Sequence, residues 1–180
     1  MLGNLAALVL IAVASQDGPV VPDRALETPE ALRLREAAAY AHPLPRGAPT
    51  EDFPLVAWCE ALVRGHVALG ESLSTDDPLD ADIIRLGKLE AADFRTALAA
   101  SRDRQTEQAR AAASASAAEA AAKWEPLNRL DEAGRSQAFG LFHGLPGRCE
   151  HAARRIREGI ATPPATLEDM GIEEADLPTS

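Results

Sequence analysis

Two cysteines, one histidine and a run of arginines are the residues here whose type and spacing could do chemistry. Cys59 and Cys149 stand 90 residues apart, and each opens a Cys-Glu-x-x-x-Arg segment, ending at Arg64 and Arg154. A thiol pair can be oxidised to a disulfide, stay reduced, or ligate a metal. The sequence has no Cys-x-x-Cys, which disfavours a redox dithiol or a zinc pair. The expectation is a structural disulfide between Cys59 and Cys149, which needs Cα atoms within about 7 Å.

His66 recurs with Leu55, Cys59, Leu62, Leu69 and Leu73 at steps of four and three. That spacing places it on the buried face of a helix. A helix bundle can hold a haem or metal between facing helices, with His143 or His151 as a second ligand. No Cys-x-x-Cys-His and no Glu-x-x-His accompanies it. A hydrogen-bonded core imidazole is therefore expected, and no cofactor and no metal is assigned. Arg148, Arg154, Arg155 and Arg157 lie within ten residues. Such a cluster could clamp a carboxylate or phosphate, or pair with Glu150, Glu158 and nearby acidic loops, which is the expectation. His66, Arg154, Arg155 and Arg157 stand as the candidate ligand-binding residues. Asp76, Asp77, Asp80 and Asp82 lack the order of a calcium loop. Asp77-Pro78 reads instead as a helix cap followed by a first-position proline. No Gly-x-Ser-x-Gly and no Ser-x-x-Lys is present, so no catalytic residue is assigned and the chain is read as noncatalytic.

These side chains need a scaffold, and 180 residues suit one domain. Hydrophobic residues make up 46%, but aromatics only 4%, and alanine supplies much of the rest. The core must be thin, and a covalent staple suits it. A formal net charge of −10 argues against nonspecific nucleic-acid binding and anionic membranes. Leu2–Ala14 is apolar apart from Asn4 and ends Ala-Val-Ala, the pattern of a cleaved export signal, although no Lys or Arg precedes it. It is too short to span a bilayer. Export to a periplasm or beyond also suits a disulfide.

The fold class expected is all-α: an antiparallel helical bundle of about four main helices, with one long Ala-rich helix and one disulfide. Residues 1–14 read as signal peptide, 15–50 as linker with a short helix, 51–160 as the helical domain, and 161–180 as an acidic, mostly disordered tail. Thr28-Pro29-Glu30 starts the short helix. The next helix spans about 51–73. A long helix is expected over 80–123, kinked near Gly87, with Leu86, Leu89, Phe94 and Leu98 as the packing face of its first half. Ten of residues 109–122 are alanine, the best helix former. That half must project into solvent or pack closely through small side chains. Further helices are expected from Leu127 to about Leu145 and over 148–159, with one turn near Leu167–Met170. The functional expectation is an exported interaction or scaffold protein that meets a partner, or itself, through the Ala-rich helix. The alternative is a small-ligand, haem or metal-binding bundle built on His66.

Overall fold

The computed structural model describes residues 27–142 and 144–172. The apolar segment 1–14, its proposed cleavage point, His143 and tail residues 173–180 lie outside the described residues.

Helix α1 (Pro29–Ala41) begins at Thr28, whose side-chain oxygen accepts from the Ala31 amide at 3.1 Å. Proline is tolerated at its first position because that amide has no helical acceptor. Helix α2 (Asp52–Glu71) is buried on nearly every side. Leu55, Cys59, His66 and Leu69 are inside, and so are Val56, Trp58, Glu60, Val63 and Val67. A helix buried all round must lie at the centre, and α3, α4, α6 and α7 all pack on it.

Helix α3 (Pro78–Ser101) is capped by Asp77, which accepts from the Leu79 amide at 2.8 Å. It returns antiparallel to α2: Lys88 pairs with Glu71 at 2.6 Å, and Arg95 with Glu60 at 3.4 Å. Helix α4 (Glu107–Ala122) runs back alongside α2, from the neighbourhood of Pro54 to Trp124 against Gly65. Ala113 and Ala120 are buried on α2's side, with Ala109 and Ala117 partly buried. A single turn, α5 (Glu125–Asn128), leads to α6 (Glu132–Gly140), and α7 (Arg148–Glu158) closes the bundle. Gly159 ends α7 with φ of 69°, a left-handed conformation that glycine adopts without steric cost. Cys59 and Cys149 are joined, with Cα atoms 6.2 Å apart and both residues buried.

Four expectations are corrected. The helix expected over 80–123 is two helices, separated by a 3-10 turn at Arg102–Arg104 and an extended Gln105. Thr106 then caps α4, accepting from the Ala109 amide at 3.1 Å. A tertiary contact holds the break: the Arg104 guanidinium donates to the carbonyls of Ile156 (2.6 Å) and Arg157 (3.0 Å) at the end of α7. Second, Gly87 serves packing, and α3 runs unbroken through it. It lets α3 approach α2, since a Cβ there would lie 2.7 Å from a Val67 methyl. Third, Leu86 and Leu89 do not pack; the inner face of α3 is Gly87, Ala91, Phe94 and Ala97, turned away from them around the helix. Fourth, the helix expected from Leu127 to Leu145 is interrupted. Asp131 starts α6 anew by accepting from the Gly134 amide at 2.9 Å. The turn near Leu167 is a 3-10 turn, Glu168–Met170.

Candidate functional site

Three places could carry function: the arginines of α7, the surroundings of His66, and the outer side of α3. The arginines come first because burial raises their energetic stakes. Arg155 is buried, and α7 carries it to the joint between α1 and α2. Its Nη1 donates to Glu36 at 3.0 Å, its Nε to Asp52 at 3.0 Å, and its Nη2 to the Thr162 carbonyl. Arg154 pairs with the same Glu36 at 3.2 Å and with Glu158 at 3.3 Å. Tyr40 donates to Asp52 at 2.5 Å, and the Arg148 guanidinium lies 4.3 Å above its ring. Burial, then the bond to Asp52, raises the Tyr40 phenol well above its ordinary range. Burial works against the Arg155 charge, and the bonds to Glu36 and Asp52 more than offset it. Arg157 is apart from this group, pairing with Asp93 of α3 at 2.9 Å.

All three candidate arginines thus meet acceptors of the protein itself, and the chemistry they perform here is tying α1, α3 and residues near Thr162 to α7. Sequence reasoning found the arginines but not Glu36, Tyr40 and Asp52. The available signal was weak: Tyr40 and Glu36 stand four apart on one face of a short helix. A groove of about 930 Å³ flanks Tyr40 between α1 and residues 163–172, walled by Ala37, Pro164, Leu167 and Ile172.

His66 sits inside a second, smaller core formed by Leu69, Trp124 and Phe139 with Phe142 beside them. Its Nε2–H donates to the Phe139 carbonyl at 3.0 Å. The rings of Phe139 and Phe142 stack on the imidazole at 4.4 and 4.3 Å, and Trp124 lies at 5.9 Å. Burial lowers the affinity of His66 for a second proton; the Phe139 carbonyl opposes this more weakly. His151, buried on α7, is distant in role: burial lowers its pKa too, among Glu150, Arg35, Glu36 and Arg154. Among the described residues, no cluster of His, Cys, Asp or Glu could hold a metal ion.

The outer side of α3 was not legible as a site. Leu79, Leu86 and Leu89 are 64%, 55% and 60% exposed. At 100° per residue they span about 80° of one side of the helix. Asp82, Glu90 and Asp93 share or border that stripe, while Arg85 is engaged by Asp82 and Lys88 by Glu71. Among the described residues, no helix is long and apolar enough to cross a membrane. No protein-family model matches the chain, and no curated protein or solved structure matches it.

Proposed function

We propose that the protein is an exported, noncatalytic interaction module whose partner surface is the Leu79–Leu86–Leu89 ridge of α3. One observation carries the reading: three large apolar side chains stand in water along one stripe, on a helix whose opposite face is anchored to α2. Apolar residues exposed singly are ordinary, but three large ones on one side of a single helix suit association. The net charge of −10 favours one occupant, an amphipathic helix with an apolar face and basic flanks. The inward alanines of α4, Ala113 and Ala120, pack on α2, and this reading takes α3 as the partner surface.

Export draws support from the buried disulfide and from the apolar segment Leu2–Ala14.

The test is photo-crosslinking from position 86, with exposed position 118 on α4 as control. The expected outcome is a discrete crosslinked partner from 86 and none from 118, lost in the Leu79→Asp/Leu89→Asp variant while its helical circular dichroism is retained. Equal yields from both positions would remove the ridge as a partner surface.

A further inference from the structure

The groove beside Tyr40 lies apart from the α3 ridge. Its volume is about 930 Å³, and Ala37 and Tyr40 of α1 face Pro164, Leu167 and Ile172 across it. Two polar side chains of its walls are already bonded. The Tyr40 hydroxyl donates to Asp52 at 2.5 Å, and the Thr166 hydroxyl accepts from the Asp169 amide at 3.1 Å. A concave surface walled by a ring, a proline and aliphatic side chains suits an apolar occupant.

The chain itself leads to this groove. After the Glu168–Met170 turn, Gly171 adopts φ of 71°, and the Ile172 amide donates back to the Leu167 carbonyl at 2.9 Å. That left-handed turn keeps Ile172 in the groove wall. The sequence runs on as Glu173-Glu174-Ala175-Asp176-Leu177-Pro178, with one large aliphatic side chain, Leu177. Five residues of extended chain reach up to about 17 Å. The wall from Ala37 to Ala41 covers only about 6 Å of helix, so Leu177 can reach all of it. Pro178 biases Leu177 toward extended backbone, the conformation that lies along a groove. Arg148, 4.3 Å over the Tyr40 ring, carries charge opposite to Glu173, Glu174 and Asp176, while Glu168 of the wall opposes them. The anchor is therefore the leucine rather than the charges. The segment before α1 is directed elsewhere. Glu27 pairs with Arg35 at 2.6 Å, and Arg35 stands about 200° around the helix from Ala37.

We propose that this groove is the seat of the chain's own segment Glu173–Pro178, with Leu177 packed between Tyr40 and Leu167. Residues 163–178 then form one strap across α1, and the groove is filled in cis rather than by a separate ligand. The strap is tied to the bundle at its start, where Arg155 donates to the Thr162 carbonyl, and in the groove at its end. None of this rests on the α3 ridge.

The test places the photo-crosslinker p-benzoylphenylalanine at position 177 of the full chain, in an equal mixture of isotopically heavy and light protein. Its apolar ring keeps the character of the leucine it replaces. Burying one leucine corresponds to a preference of at least about tenfold. The expected product is thus an adduct within one chain, mapped by peptide mass spectrometry to 37–41 or 163–172. A heavy–light adduct would assign the groove to a second copy, and adducts scattered over the surface would leave it to a separate ligand. Either result overturns the proposal. A second measurement needs no crosslinker: amide hydrogen exchange of wild type and Leu177→Asp. Exchange over 167–172 is expected to be about tenfold faster in the variant, with α4 unchanged. Equal exchange in the two proteins would overturn the seat. Neither measurement touches α3, so these results and the crosslinking from position 86 stand or fall separately.

Discussion

At the scale of single residues, Arg155 shows how much a buried charge depends on its partners. Glu36 is 5% exposed, so removing the guanidinium leaves its carboxylate in a poorly solvated site with only Arg154 beside it. Breaking a buried pair by deleting one member costs about 3–5 kcal/mol, mostly from the charge left behind. Arg155→Met is expected to lose about that much in urea unfolding. The Glu36→Leu/Arg155→Met double variant is expected to recover a large part of it. If the single variant matches wild type, the buried pairing is not formed in solution. Tyr40 belongs to the same balance, since it shares Asp52 with Arg155. His66 is a different case: a buried imidazole whose pKa burial lowers, bonded to the Phe139 carbonyl.

At the scale of elements, the contrast between α3 and α4 is instructive. Both pack on α2, but α4 does so with methyl groups. Ala113 and Ala120 are buried, and the two helices approach closely because nothing larger stands between them. Enlarging a residue in such a seam forces shifts worth about 1–3 kcal/mol. Ala113→Leu is therefore expected to destabilise by about that amount in thermal or denaturant unfolding. Ala118→Leu, on the exposed face, is expected to stay within about 0.5 kcal/mol of wild type. Equal effects would mean α4 is not seated through this stripe. Glycines serve the same end on α2. A Cβ at Gly65 would fall 2.1 Å from the Trp124 ring, so the indole occupies the space a side chain would need.

For the whole molecule, the disulfide offsets a modest core. Its large buried side chains are few, Trp58, Phe94, Trp124 and Phe139 among them, and alanine and valine fill much of the rest. The crosslink spans 90 residues and joins the central helix to the last one. Loop-closure entropy puts its contribution at about 4–5 kcal/mol. The Cys59→Ala/Cys149→Ala variant is expected to lose about that much stability, seen as a lower urea midpoint. An unchanged midpoint would mean that the crosslink adds nothing to packing already sufficient by itself.

Local chemistry made much of this architecture readable from the sequence. Thr28-Pro29 and Asp77-Pro78 mark helix starts because an unpaired amide needs an acceptor and proline needs none of its own. The four-three spacing of Leu55, Cys59, His66 and Leu69 forces one face of α2 inward, and that face brought the disulfide with it. Composition showed that Ala109–Ala122 must be helical. Tertiary structure alone decided the rest. The break at 102–106 depends on Arg104 reaching carbonyls more than fifty residues away. Leu86 and Leu89 look like core by type, yet Gly87, Ala91, Phe94 and Ala97 take the inner face, with α2 so close at Gly87 that a Cβ would lie 2.7 Å from Val67. Likewise, nothing adjacent in sequence pairs Arg155 with Glu36, or seats Phe139 on His66. Amide capping and helical periodicity act within a few residues, so the chain displays them. Helix rotation and charge pairing are set by which surfaces finally meet, and only the packed molecule decides that.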